Sequence, residues 1–297
     1  MERGWEFVGA WSIDPVLVLG ITLAALGYRS AVRRVVRAGS GGDWPRFRSV
    51  GFLAGLALLG AVLMGPIGAY DDTYFWAHMV QHIVLMMLAA PLLLLGAPVL
   101  LVLRVVGGPA RRRWVVPVLR SRVVRLLTHP LVTWALFAAT LLGTHFSPFY
   151  NYALTHPPVH RFVEHPLYLA VALLYFYPLI GRNPMPRRVP PIVKALSLLA
   201  MMGPESMTGF FLFSSTHVFY PAYLAVDRPF GPAPLFDQQL GGALMWGGGM
   251  IISAVWIVVA AREWLRAEER TARRLDQRLR RATAPSRTAE HTVGLPP

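Results

Sequence analysis

The 297-residue chain is 55% hydrophobic and 15% charged, with a mean hydropathy of +0.46 and a formal net charge of +14. Soluble domains carry about 25% charged residues, so a water-soluble class is excluded and a membrane protein is expected. Cysteine is absent, which excludes disulfides and thiolate metal sites and leaves His, Met, carboxylate and carbonyl groups as possible ligands.

A membrane span needs roughly 20 mostly apolar residues. Seven runs meet or approach that length, at about 14–32, 49–68, 80–103, 130–147, 163–181, 192–213 and 238–261. The expected fold is all-α, a polytopic seven-transmembrane-helix bundle. No internal repeat and no separate soluble domain is evident. Residues 1–262 read as the membrane domain and 263–297 as a basic helical extension ending in a disordered tail.

Charge sets the sidedness. Of 29 Lys and Arg, 26 fall in 29–48, 104–125, 182–194 and 262–287, which are alternate connectors plus the C-terminal segment. Basic residues gather on the cytoplasmic side, so the N-terminus is expected outside and the C-terminus inside. Solvated charge at anionic headgroups accounts for the positive balance, and nucleic acid is not needed as a partner. Gly39-Ser40-Gly41-Gly42 reads as a flexible inner loop, and 104–129, where Arg alternates with Val and Leu, as an amphipathic helix on the inner leaflet. With this topology His78, His82, His145, His156, His160, His165 and His217 share the outer face, while His129 and His291 do not.

The third run opens with His78-Met79-Val80-Gln81-His82. Positions i and i+4 share a helix face, so both imidazoles lie on one side at the outer mouth, suited to one metal ion. The bland reading is an interfacial pair beside Tyr74 and Trp76. Thr144-His145 ends the fourth run, and Ser214-Ser215-Thr216-His217 follows the sixth; each alone reads as a polar loop group. His156, in a Thr-His-Pro-Pro turn, reads as peripheral. The fifth run opens with His160-Arg161-Phe162-Val163-Glu164-His165. A carboxylate beside an imidazole commonly orients a ligating His, although Glu is also favoured at a helix start. Glu205, in Met201-Met202-Gly203-Pro204-Glu205-Ser206-Met207, lies within a span, where a carboxylate is costly and suggests function. Asp237, opening the seventh run, is a possible oxygen ligand or a helix cap. The glycines at 241, 242 and 247–249 read as packing features.

His78-Met79-Val80-Gln81-His82, with Thr144-His145, Tyr150, Ala153-Leu154, Glu164-His165, Asp237-Gln238-Gln239-Leu240-Gly241-Gly242 and Met245-Trp246, resembles the polytopic CtaG family over about residues 15–262. Its members are bacterial cytochrome c oxidase assembly factors linked to caa-type haem–copper oxidases. The resemblance implies a multi-pass protein of the bacterial plasma membrane, oxidase subunits as partners, and a role in copper handling. It is distinct from the single-span copper chaperone of the same name, which works through cysteines.

The leading expectation is thus a copper-binding assembly factor in the lipid bilayer. His78, His82 and His165 are the first ligand candidates and His145 and His160 the next. Glu164, Asp237, Glu205 and Met79 stand as supporting groups or further ligands. Zinc and haem also fit paired imidazoles. A haem-binding electron carrier, a metal or small-solute transporter using Glu205, and a zinc hydrolase remain as alternative classes. No nucleophile–base set is present, so no bond-making chemistry is implied.

Overall fold

The computed structural model describes residues 7–39, 44–180, 183–185 and 189–283. Residues 40–42 of the expected inner loop, and the tail with His291, lie outside the described residues. Among the described residues every regular element is helical. Five helices are long and apolar enough to cross a membrane, which makes this a multi-pass membrane protein. They are α1 (Pro15–Arg37), α2 (Arg46–Ala69), α3 (Phe75–Val105), α6 (Pro191–Ser214) and α7 (Pro234–Gln277). Two shorter apolar helices complete the bundle. α4 (Pro130–His145) has 16 residues, and α5 spans 157–176, with His165–Phe176 as its apolar part.

α1 begins where Asp14 accepts hydrogen bonds from the Val16 and Leu17 amides and Pro15 takes the first helical position, a favoured N-terminal arrangement. It buries only Tyr28 and Val35, leaving Leu19, Leu23 and Leu26 exposed. Such a face is stable against lipid, not water. Tyr28 anchors the helix by donating to the Gly96 carbonyl at 2.8 Å. α2 lies close to α3 at Gly55, where a Cβ would come within 2.9 Å of the Leu93 nitrogen. α6 and α7 meet through Gly209 and Gly242, each of whose Cβ positions is filled by the other helix's backbone. Small residues allow this approach, so Gly242, and Gly241 against Phe75, are packing elements, whereas nothing lies within 4 Å of a Cβ at Gly247.

α3 and α7 each contain a π-helical stretch, at Val84–Ala89 and Leu244–Gly248. The wider turn disturbs the usual carbonyl pattern, and Trp256 of α7 donates to the Met87 carbonyl at 2.9 Å. The main core lies between α3, α4, α5, α6 and α7, around Leu85, Phe137, Tyr175, Phe176, Leu198 and Met201.

The connector expected as one amphipathic helix is instead a chain of short helices, with Pro109 and Pro117 at helix starts and Ser121 capping Arg122–Leu127. Its amphipathic character survives: Trp114, Val118, Val123 and Leu126 are exposed among Arg111, Arg112, Arg113, Arg120, Arg122 and Arg125. Past its π-helical stretch α7 continues unbroken from Gly249 to Thr283, because Arg and Glu at helical spacing replace the apolar residues without a breaker. The histidine end of the bundle comprises the starts of α3, α5 and α7 and the ends of α4 and α6. The arginine-rich connectors lie at the opposite end.

Candidate metal centre

Glu164 stands at the middle of the histidine end. The start of α5 is a π-helical turn, His160–Glu164, which turns both residues inward; His160 is 7% exposed and Glu164 fully buried. One Glu164 oxygen lies 2.6 Å from His160 Nδ1. The other is 3.4 Å from His78 Nε2 and 3.8 Å from His82 Nε2. The i, i+4 pair on α3 therefore faces one carboxylate oxygen on α5. The His78 and His82 ring centroids are 3.8 Å apart, packed by Tyr150 on His78 and Tyr168 on His82.

This group is buried and incompletely bonded. Both nitrogens of His78, Nε2 of His82, Oε1 of Glu164 and the Tyr168 hydroxyl are buried without a hydrogen-bond partner. At 3.4 Å the His78–Glu164 contact is electrostatic, but its alignment is not that of a hydrogen bond. A buried polar atom left unsatisfied costs about 1–3 kcal/mol, and several around one point call for an explanation. A shared cation would satisfy the two imidazoles and the carboxylate together. Tetrahedral metal–nitrogen bonds of about 2.0–2.1 Å place neighbouring donors roughly 3.3 Å apart, close to the His78–Glu164 separation.

A second group adjoins the first through His160. Its Nε2 lies 3.2 Å from Asp71 Oδ2, so both ring nitrogens face carboxylate oxygens, an arrangement that suits an imidazolium with its two donors. Burial would push the Asp71 carboxyl up, but the His160 hydrogen bond and the charges of His160, His165 and His78 hold it below its ordinary value. Gln81 donates to Asp71 at 2.6 Å and accepts from His165 Nε2 at 2.9 Å. Tyr223 donates to the Asp71 carbonyl and meets the Tyr150 hydroxyl at 2.5 Å. The nitrogens and carboxylates of His78, His160 and Glu164 lie within 4.8 Å of one another, as do those of Asp71, His160 and His165. The Asp71 side opens on a groove of about 620 Å³ between α1, α2, α3 and α5.

The structure therefore joins His78, His82, His160 and Glu164 directly. His165, one residue on from Glu164 and so rotated around α5, turns to Gln81 and Asp71 instead of to His78 and His82. His145 is buried at the edge, its ring 6.4 Å from His82. Its Nδ1 donates to the Leu141 carbonyl at 2.7 Å, so Nε2 is the bare nitrogen.

Asp237 lies elsewhere, accepting from the Phe75 and Trp76 amides at 2.9 and 3.0 Å and from Arg228. It caps α3 across space instead of its own helix. Met79 and Glu205 line a small cavity beside His82, and His156 and His217 are exposed. Sequence reasoning missed Asp71, Gln81, Tyr150, Tyr168 and Tyr223 as site residues. Asp71 had a signal, being an acidic residue next to a histidine-rich helix start. Gln81 had one in its position within the histidine motif. Tyr150 had one in the motif that carries the family resemblance, whereas Tyr168 and Tyr223 had none.

A multi-pass helical bundle with imidazoles and carboxylates gathered in a buried pocket at one end defines the class. The chain matches the model of the cytochrome c oxidase caa3 assembly factor family, CtaG, over residues 26–267, and it belongs to that family. It is 31% identical over 275 residues to an uncharacterized protein of Mycobacterium bovis and to one of Mycobacterium tuberculosis. With an uncharacterized protein of Mycobacterium leprae it shares 29% over 280 residues. The alignments cover 90–92% of this chain but 41–42% of those proteins, so the chain spans about two fifths of their length. No solved structure matches it.

Proposed function

We propose that the chain is a seven-span plasma-membrane assembly factor for a haem–copper oxidase. In this reading it holds copper as cargo at the histidine end, with His78, His82 and Glu164 as the central donors and His160 joining them when it gives up a proton. The supporting observation is the set of buried, unpartnered atoms on His78, His82 and Glu164 around one point. Imidazole and carboxylate donors suit copper and zinc alike, and the family's link to a copper-containing oxidase favours copper. Tyrosine packing on both rings favours an ion over a macrocycle such as haem. Metal entry would be linked to proton release, because a ligating His160 must lose the proton it now shares with a carboxylate.

The topology in this reading places the N-terminus and the histidine end outside, α4 and α5 crossing as the two shorter spans, and the basic connectors inside. The segregation of 26 of 29 basic residues supports it. Oxidase subunits are the partners, reached from the outer face.

The test is metal analysis of protein purified without chelators, followed by copper titration of His78→Ala and His82→Ala. Both variants should insert normally, lose bound copper and lower oxidase activity in membranes. His156→Ala should do neither. Wild-type copper content in both cluster variants overturns the reading.

A further inference from the structure

Beside the histidine cluster lies a small cavity of about 40 Å³, to which both π-helical stretches contribute side chains and which Phe137, Leu141 and Tyr168 also line. Met86 and Met87 come from the stretch in α3 and Met245 from the stretch in α7, with Met79 one turn nearer the cluster. Four of the chain's eleven methionines thus meet at one cavity. Leucine would fill an ordinary core as well. His82, whose Nε2 is buried and unpartnered, borders the cavity on the cluster side. Glu205 of α6 borders it on the other, buried within the bundle, with the neutral Ser253 hydroxyl at 3.4 Å as its hydrogen-bond partner.

Each element has a bland explanation on its own, since Met is common core filling. Together they do not. π-helical turns recur at functional sites, and here two of them, on facing helices, line the same cavity. The space exceeds the roughly 10–15 Å³ one water needs but is far too small for an organic solute. Thioethers are soft, uncharged donors that select cuprous copper over zinc, calcium or magnesium. A carboxylate without a cationic hydrogen-bond partner supplies the opposite charge that a buried monovalent ion requires.

We propose that this cavity is a second cation site, specific for a soft monovalent ion of the cuprous type. Met86, Met87 and Met245 supply the thioethers, Met79 and His82 form its mouth toward the cluster, and Glu205 balances the charge. The identity of the ion as copper rests on the function proposed above; the soft-cation chemistry rests on the cavity alone. A chain with both sites holds two ions of different hardness, one among imidazoles and carboxylates and one among thioethers.

The probe is Ag(I), a redox-stable soft cation, titrated into purified full-length protein, with Zn(II) titrated separately to report the histidine cluster. Leucine is close to methionine in volume and is well tolerated in its place. The triple variant Met86→Leu, Met87→Leu, Met245→Leu should weaken Ag(I) binding by roughly tenfold or more and leave the Zn(II) titration unchanged. His78→Ala should weaken Zn(II) and leave the thioether-dependent Ag(I) binding in place. X-ray absorption of the Ag(I)-loaded wild type should show sulfur neighbours, and Met245→Leu alone should reduce them. Retained Ag(I) affinity in the triple variant overturns the proposal. So does an absorption spectrum without sulfur, which holds whether or not the triple variant folds. Unchanged Zn(II) and copper binding in His78→Ala would instead overturn the cluster reading and leave this one standing.

Discussion

The two ends of the bundle carry their charge in opposite ways. At the arginine end, cations such as Arg111, Arg112 and Arg113 stand exposed, and water or headgroups solvate them. Arg48 and Lys194 are buried: Arg48 lies over the Trp44 ring, and Lys194 pairs with Glu263, which is half exposed. At the histidine end, His78, His82, His160, Glu164 and Asp71 are all buried and satisfy one another only in part. A buried ionisable group must be compensated by its neighbours. The difference teaches that exposed arginines report where a membrane surface lies, whereas buried histidines and carboxylates report where the fold holds charge that its neighbours only partly satisfy.

The largest expected effect is at Glu164. Glu164→Gln removes the charge facing three imidazoles, and breaking a buried charge pair from one side costs about 3–5 kcal/mol. Thermal unfolding in detergent should show a loss of that order, together with loss of bound copper. A variant as stable as wild type would mean that the cluster is solvated and the contrast between the ends is false.

Next come the glycines of α6, which separate packing from site chemistry. At Gly209 a Cβ would meet the Trp246 nitrogen at 2.7 Å, whereas at Gly203 nothing lies within 4 Å. Gly209→Ala should destabilise by about 1–3 kcal/mol, and Gly203→Ala should stabilise by up to about 1 kcal/mol through helix propensity. Equal effects in unfolding experiments would remove the close α6–α7 crossing.

Much of the fold was legible because bilayer physics writes it into long stretches. Apolar runs of span length located the five helices long enough to cross a membrane and the shorter α4 and α5, and the basic connectors marked one end. The two shortest runs, now α4 and α5, were the least regular, since their outer ends turn polar at Thr144-His145 and at His160–His165 to build the site. Within the site, helical spacing was enough to unite His78 with His82 and His160 with Glu164. It was blind to contacts between helices. Asp71 reaches His160 across 89 positions of chain, and Asp237 caps α3 from 162 positions away. No local pattern encodes those partners. The π-helical turns were equally hidden, because π geometry arises from tertiary packing and has no period that Val84–Ala89 displays.

Asp237 gives a smaller effect that sharpens the division of labour at the histidine end. Asp237→Asn keeps one oxygen to accept from either the Phe75 or the Trp76 amide, turns an NH2 donor toward the other, and loses the charge facing Arg228. Loss of a helix cap costs about 0.5–2 kcal/mol, and the amide should cost part of that range. Copper content should stay at the wild-type level, since Asp237 sits apart from the imidazoles. Loss of metal with unchanged stability would move Asp237 into the site.

The smallest effect is expected at the other end, from Glu263→Gln. Lys194 Nζ lies 3.1 Å from both Glu263 oxygens, a closer approach than either α3 histidine makes to Glu164. Distance alone would therefore rank this pair above those contacts. Burial reverses the order: the Glu263 side chain is 55% exposed and that of Glu164 is 0% exposed. Water already competes for the Glu263 carboxylate, and exposed ion pairs contribute about 0–1 kcal/mol. The lysine ammonium can also turn to water while its stem stays packed. Glu263→Gln should thus cost less than about 1 kcal/mol. Its effect should shrink further at high ionic strength, where screening shortens the reach of surface charge, whereas the Glu164→Gln effect should hardly respond to salt. Unfolding both variants at low and high salt compares the two ends directly. A salt-insensitive loss at Glu263 as large as that at Glu164 would show that the arginine end is as shielded from solvent as the histidine end, and burial would no longer distinguish them.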